Sequence, residues 1–399
     1  MQPIKLVIFC FFITLATHAT AQSPFTYEEA NTKSYALYEK ASWKELLDYG
    51  REAVLNNQDF TLLRLRMGYA AFMLNNFSEA IRQYEQVLKN DSYNSTAHYY
   101  IWLCRKYLNQ TELADAQVRY LSPEVIAEAK LRSFAFTDAN IEASFKTTNS
   151  SFRNNTNYEK IELKNRFGYN IHMQQAGALF NQSILLANAL RPGAIPPPPP
   201  YRTASINQSE YYNKITANMN SHWQLKAAYH YTQTNTDNTI YNNQSALVGI
   251  KYFNHYFDIQ ADAIFSTITD TSISQYNAQI GIYPFGNLKL YGFSTAIIRN
   301  RPSGSAFNFR QVIGVQISKK LWLEGNTTLG TFTDLLENDG LYIYNQIDKN
   351  LFKAGLFGYI PLSSQCTFNM GYTLEQRVLY NTNNTFNQHS ITGGLSWKF

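Results

Sequence analysis

Two periodicities divide the chain. From about Tyr27 to Ser133, apolar residues recur every three to four positions, the spacing of one helix face. Leu62, Leu65, Tyr69, Ala70 and Met73 form one run, and Phe77, Ala80, Ile81, Tyr84 and Leu88 the next. Asn75-Asn76 breaks between them, so the pattern predicts a helical hairpin. Ser122-Pro123-Glu124 reads as an N-cap followed by proline at the first helical position, opening a last helix that runs to about Leu131.

Beyond Phe136 the period becomes 2. Ile161, Leu163, Phe167, Tyr169 and Ile171 share one parity, and Lys160, Glu162, Lys164, Arg166 and Asn170 the other. Trp223, Leu225, Ala227, Tyr229 and Tyr231 alternate with His222, Gln224, Lys226 and His230. Phe257, Ile259, Ala261, Ala263 and Phe265 alternate with Asp258, Gln260, Asp262 and Ser266. Cys366, Phe368, Met370, Tyr372 and Leu374 alternate with Thr367, Asn369, Thr373 and Glu375. A soluble sandwich and a transmembrane barrel share this alternation, with opposite faces turned to solvent. Three features favour the barrel.

The first is strand length. The segments run roughly 10–15 residues, longer than ordinary soluble strands and long enough to cross a bilayer at a tilt. The second is the order of connections among about fourteen candidate strands, with 12 to 16 compatible with the pattern. Short turns are expected at Met173-Gln174, Ser221-His222, Asn254-His255, Pro284–Gly286, Ser318-Lys319 and Ser363-Ser364. Longer polar loops are expected at 149–157, 191–205, 235–243, 269–272, 300–305, 334–344 and 380–385, which places short turns at one barrel end and long loops at the other. The third is the segment Ile391, Gly393, Leu395, Trp397 and Phe399, one apolar parity ending on an aromatic residue. It resembles the C-terminal signal that barrel-assembly machinery reads in outer-membrane proteins. Aromatic residues also bunch at strand ends, as at Tyr252, Phe253, Tyr256 and Phe257, which suits interfacial girdles.

Composition sharpens this picture. The 399 residues include 29 Tyr and 26 Phe, a mixture that favours sheet. The net charge of +5 is mild and comes without a Lys/Arg block, so nucleic-acid binding is not expected. Residues 1–21 read as a signal peptide: Lys5 gives the positive start, Leu6 to Ala16 the apolar stretch, and Ala19-Thr20-Ala21 the small-x-small cleavage site. That apolar stretch is too short to span a bilayer as a helix, and none long enough follows it. Cys10 lies inside the signal; Cys104 and Cys366 fall in different expected domains, so no disulfide and no metal spacing is expected. The expected division is 1–21 signal peptide, 22–133 helical domain and 134–399 barrel, a closed wall leaving no backbone group unpaired in lipid.

Charged residues on the expected lumen parity are the functional candidates: Lys160, Glu162, Lys164, Arg166, Lys226, Asp258, Asp262, Arg310, Glu324, Glu375 and Arg377. Their mixed signs suit either a salt-bridged, partly filled interior or a polar channel. The Pro196–Pro200 run is a stiff polyproline II segment in an expected outer loop, read as a spacer or a ligand for another protein. Tyr231-Thr232-Gln233 and His389-Ser390 have a faint likeness to an outer-membrane phospholipase, whose His-x-Ser-Asn-Gly block is absent here. No Gly-x-Ser-x-Gly, metal cluster or P-loop is present, so neither enzymatic activity nor a cofactor is expected.

In the helical part, Trp43, Phe77 and Thr111 share a spacing of ~34 residues, the tetratricopeptide period. The unit from about Thr61 to Asn94 resembles that repeat most closely: Gly68 stands at the small position, Ala80 at the helix crossing, and Phe77 and Tyr84 at large packing positions. It departs from the family in Arg64 at the first-helix Trp position and Ser92 at the closing Pro. In its architecture and its terminal Ile391–Phe399 pattern, nearly the whole mature chain resembles the YaiO-like outer-membrane β-barrel family, and its layout is shared with exopolysaccharide export porins and surface-lipoprotein translocons. That resemblance implies an N-terminal tetratricopeptide-like α-solenoid in the periplasm followed by a C-terminal antiparallel barrel in the outer membrane. It implies transport or export, with barrel-assembly machinery and a periplasmic protein or polysaccharide as partners. The alternatives are a non-conducting barrel anchoring an interaction module, or an outer-membrane enzyme.

Overall fold

The structure, a computed structural model, describes residues 26–187, 201–237 and 239–399; the expected signal peptide and the Pro196–Pro200 run lie outside them. Helices α1 (Tyr27–Glu39), α2 (Trp43–Leu55), α3 (Thr61–Met73), α4 (Phe77–Asn90), α5 (Ser95–Tyr107), α6 (Thr111–Asp115) and α7 (Pro123–Glu128) come first. The first helix of each successive pair begins at 27, 61 or 95 and the second at 43, 77 or 111, so one 34-residue spacing relates all three pairs. The backbone repeats as well. Ala41, Asn75 and Asn109, in the turn inside each pair, all have positive φ. Thr26 caps α1 with Glu29 in a capping box, and the side chains of Asn76 and Asn94 cap α4 and α5.

The helical core is mainly apolar. Ala70, Ala80, Leu63, Met67, Tyr84 and Ile101 are all buried. Glycine at 68 is a packing requirement: a Cβ there would lie 2.8 Å from the Tyr84 ring. Phe77 stacks on Tyr107 with ring centroids 4.8 Å apart. Cys104 is buried in this core and Cys366 lies on a barrel strand, both as free thiols.

Fourteen strands form the barrel: β1 (Phe134–Thr148), β2 (Arg153–Phe167), β3 (Ile171–Ala187), β4 (Tyr201–Asn218), β5 (Trp223–Thr236), β6 (Thr239–Phe253), β7 (Phe257–Ile268), β8 (Thr271–Ile282), β9 (Leu290–Arg301), β10 (Gly304–Ser318), β11 (Leu321–Phe332), β14 (Lys349–Pro361), β15 (Cys366–Val378) and β16 (Thr385–Lys398). The intervening β12 (Leu336–Glu337) and β13 (Tyr342–Ile343) make a separate two-stranded hairpin. Each wall strand pairs with its neighbours in antiparallel sense, and β16 closes on β1 from Asp138↔Lys398 to Thr148↔Gln388.

The faces decide between sandwich and membrane barrel. Leu225, Val248, Ile259, Phe265 and Ile391 are exposed on the outside, while Gln224, Lys226, Asp258, Asp262 and Ser390 are buried inside. This inverts a soluble protein and is the pattern of a wall set in hydrocarbon. On β5 the apolar outward run, Trp223 to Tyr231, is about as long as a tilted bilayer crossing needs. Ile391, Leu395, Trp397 and Phe399 lie on the same outer face.

The connections differ from expectation. Thr269-Asp270 is a two-residue turn with both φ positive, and Arg301 is separated from Gly304 by two residues only. β5 extends to Thr236 and β6 starts at Thr239. Three expected long loops are thus tight hairpins; in the one between β5 and β6, outward Gln233, Asn235, Asn242 and Gln244 continue the strands past the apolar band. Met173-Gln174 lies within β3; the turn is at 168–170 instead. The expected outer loop at 334–344 does not face outward.

Candidate functional site

The 333–348 segment between β11 and β14 folds back into the lumen. Its apolar residues explain part of this. Leu335 and Phe332 pack with Ile297, Leu336 packs with Leu247, Ile264, Ile268 and Ile273, and Leu341 packs with Ala176 and Tyr212. These wall residues are apolar on the otherwise polar inner parity. The Gln275 side-chain amide brackets Leu336, donating to its carbonyl at 2.8 Å and accepting from its N–H at 3.1 Å.

Charge completes the fit. Asp334 pairs with Arg299 and Arg301. Glu337 accepts from Lys353 at 2.7 Å, lies 3.8 Å from Arg310, and accepts from the Thr328 hydroxyl. Asp339, at the hairpin tip, pairs with Lys214 at 3.0 Å and with Lys226, and accepts from Gln260 at 3.0 Å. Its carbonyl accepts from the Tyr212 hydroxyl, and the Gly340 carbonyl lies 2.7 Å from His230 Nδ1. The Tyr342 hydroxyl donates to Glu142 at 2.8 Å and accepts from Lys160. Asp348 takes a two-pronged contact from Arg153 at 2.6 and 2.7 Å, the strong planar geometry of guanidinium with carboxylate.

Around this plug the lumen retains space. One cavity of about 430 Å³ lies between the plug and β1, β2 and β14–β16, lined in part by Tyr158, Arg310, Glu324, Glu375 and Arg377. A second, of about 710 Å³, lies between the plug and the helical domain, lined in part by Glu112, Lys164, Lys214 and Lys226.

Every candidate named from sequence lies on the inner parity, in several different contacts. Lys160 sits 3.2 Å from Glu142, and Lys164 lies 3.7 Å from Glu162. Lys226 and Asp262 pair at 3.1 Å, and Arg377 and Glu375 at 2.6 Å. Asp258 pairs with Lys251 at 3.0 Å and accepts from the Tyr283 hydroxyl. Glu324 accepts from Tyr291, and Arg310 reaches the plug. Arg166 turns to the helical domain, 2.9 Å from Asp115. Sequence reasoning missed the plug and its partners Arg153, Lys214, Arg299, Arg301 and Lys353. The available signal was Leu335, Leu336 and Leu341, three leucines that a solvated loop would not bury.

The helical domain sits against the turns of one barrel end. Asn287 donates to the Asn75 carbonyl at 2.8 Å, and the Ser78 N–H donates to the Gly286 carbonyl at 3.1 Å. Gly286 has φ +62°, and a Cβ there would lie 2.1 Å from Asn76 Oδ1, so glycine is required. Asn218 and Gln224 both donate to Glu112, and Arg105 donates to the Ser221 carbonyl at 2.8 Å. Glu85 meets His255 at 2.8 Å, with Arg105 and His222 beside it. Burial pushes the Glu85 carboxyl up, but the His255 hydrogen bond and the Arg105, His222 and His255 charges outweigh it and hold it below the usual carboxylate range.

His389 and Ser390 stand on opposite faces of β16. His389 meets the Tyr372 hydroxyl at 2.6 Å outside the barrel, and Ser390 is buried inside. Successive strand residues must diverge in this way, so the two do not form a catalytic pair. Among the described residues no three His, Cys, Asp or Glu side chains gather as a metal site.

These features define a closed, plugged β-barrel with an apolar outer wall. No known protein family matches the chain, and no curated protein matches it. Solved structures similar to it include the CymD monoaromatic hydrocarbon channel, at 6% identity and a TM-score of 0.46, covering 66% of this chain and 88% of that one. A FadL homologue of Pseudomonas aeruginosa shows 7% identity and a TM-score of 0.42, over 67% and 90% of the two chains. A bacterial polysaccharide outer membrane secretin shows 8% identity and a TM-score of 0.39, over 66% and 98%.

Proposed function

We propose that the protein is an outer-membrane transport barrel whose lumen the 333–348 segment closes at rest, with the helical domain on the periplasmic side. One observation carries this reading. Six wall cations find their carboxylates on a loop and not on the wall, with cavities left on either side of it. Elsewhere the interior pairs wall with wall, as in Lys160–Glu142, Lys251–Asp258 and Arg377–Glu375, so these six stand apart from the pairs that merely fill it. Withdrawing the plug exchanges its ion pairs for hydration and uncovers the three separate apolar seats of Leu335, Leu336 and Leu341.

The three 34-residue helical pairs support a tetratricopeptide-like reading of the helical domain, and the layout supports kinship with YaiO-like barrels. In that orientation the domain meets a periplasmic protein or polysaccharide and presents it at the barrel end it contacts. The Ile391–Phe399 face serves recognition by barrel-assembly machinery and then contact with lipid. No catalytic step is assigned to the chain.

Planar-bilayer recording tests the transport reading. The intact protein is expected to conduct weakly and intermittently. Replacement of 334–347 by a short Gly/Ser linker is expected to give a steady, larger conductance. The competing reading, a barrel that only anchors the helical domain, draws on the density of plug contacts. A folded linker variant that stays insulating would favour it.

A further inference from the structure

The plug is one-sided in charge. Between 333 and 348 the sequence holds Asp334, Glu337, Asp339 and Asp348 and not a single Lys or Arg. These four carboxylates face seven wall cations: Arg153, Lys214, Lys226, Arg299, Arg301, Arg310 and Lys353. Among the described residues, Lys226 alone of the seven has a wall carboxylate within 4.0 Å, namely Asp262. The other six meet carboxylates within that distance on the plug alone.

The seven are spread along the lumen. Lys214 and Lys226 hold the hairpin tip, where the second cavity begins, and Arg310 and Lys353 hold its middle. Arg299 and Arg301 grip the start of the loop near the ends of β9 and β11, and Arg153 grips its end. Gln260 and Thr328 add neutral donors to the Asp339 and Glu337 carboxylates, and Tyr212 donates to the Asp339 main-chain carbonyl. A row of cations with interleaved donors is what a chain of oxyanions needs, and rings of Arg and Lys are how pores select anions.

We infer that these seven cations form an anion-binding track through the barrel, and that the plug occupies it as an internal substitute for an anionic substrate bearing repeated carboxylate or phosphate groups. The inference rests on the transport reading above and names its substrate class. Withdrawal of the loop unmasks the track. An incoming polyanion competes for the same cations, so the substrate itself favours the open state.

The test uses the full-length chain with the loop kept at full length and its acids neutralised: Asp334→Asn, Glu337→Gln, Asp339→Asn and Asp348→Asn together. The 334–347 linker variant runs in parallel, and heat-modifiable gel migration confirms that each is folded. Reversal potentials in a potassium chloride gradient are expected to show chloride favoured over potassium several-fold in both. Oligogalacturonate and inorganic polyphosphate are then added as blockers. Block by the first alone assigns carboxylate, by the second alone phosphate, and by both an unselective oxyanion track; each supports the inference. Adding Lys214→Gln, Arg299→Gln and Arg310→Gln to the neutralised loop is expected to remove the chloride preference and weaken block. Conductance without chloride preference and without block overturns this inference and leaves the transport reading standing. Folded variants that never conduct overturn both.

Discussion

The helical domain and the barrel solve opposite problems. The first buries Leu63, Met67, Ile101 and Tyr84 in a mainly apolar core, with a few polar residues such as Glu79 and Gln83 buried beside it. The second exposes Val248, Ile259 and Phe265 and buries Asp258, Arg299 and Glu375. The amino acids are the same; the surroundings differ. Hydrophobic burial organises a domain that meets water, whereas hydrocarbon outside a wall removes that drive and leaves paired charge to order the interior. Contacts between the parts are correspondingly polar, through Glu112, Glu85, Asp115 and the turns they meet.

The largest expected effect comes from forcing the barrel to obey the helical domain's rule. Val248, 58% exposed, sits between Ala227 and Ala263 of the neighbouring strands, within the apolar band. Val248→Arg is expected to cost about 2–4 kcal/mol in urea unfolding from vesicles, the penalty for a cation facing mid-bilayer lipid. An equal loss from an added Arg at an inward site would erase the contrast.

Next comes the apolar core. Gly68→Val places carbon where the Tyr84 ring lies, and overpacking of this kind costs about 1–3 kcal/mol, more than the roughly 0.5 kcal/mol of helix propensity that Val restores over Gly. Thermal scans by circular dichroism should show the helical signal melting earlier while the strand signal holds. Simultaneous loss of both would mean that the two parts fold as one unit.

The polar seam between the parts is expected to respond to pH. The folded-state pKa of Glu85 lies below its unfolded value, so its contribution is present above the ordinary carboxylate range and is lost as pH falls through the lowered value. Proteolytic cleavage between helical domain and barrel should therefore rise in acid, and Glu85→Gln should flatten that profile. An unchanged acid profile in the variant would remove Glu85 from the seam.

Smallest is Tyr84→Phe. The Tyr84 hydroxyl is buried without a hydrogen-bond partner among the described residues, so its removal should change stability by less than about 0.5 kcal/mol, or raise it. A marked loss would reveal a polar contact to that hydroxyl.

Much of this architecture was legible in residue order. Parity marked the two faces of the wall, since each outward residue must be followed by an inward one, and turn signals put the strands at about fourteen within a range of 12 to 16. The 34-residue spacing of Trp43, Phe77 and Thr111 matched three helix starts. Connections were less legible, because a polar residue such as Gln233 or Asn242 serves equally in a loop and on a strand that has left the membrane. The inward loop escaped for a related reason. Asp334, Glu337 and Asp339 look solvated when only their neighbours in sequence are considered, and Arg299 and Lys214 that neutralise them are remote. The docking surface was hidden similarly, since Asn218, Ser221 and His255 are ordinary turn residues until a helix end lies against them.

The β1–β16 seam has a kinetic consequence. Asn140 donates to Ser396 across it, 256 residues apart in the chain. Nothing local assists that meeting, so its loop-closure entropy is overcome only after the other strands have lined up. Until then β1 and β16 are open edges, each able to template a foreign strand. Pairing of β16 with β1 is thus the step that removes both edges, and an assembly factor that shields β1 while holding β16 would shorten the vulnerable interval more than one acting elsewhere along the wall.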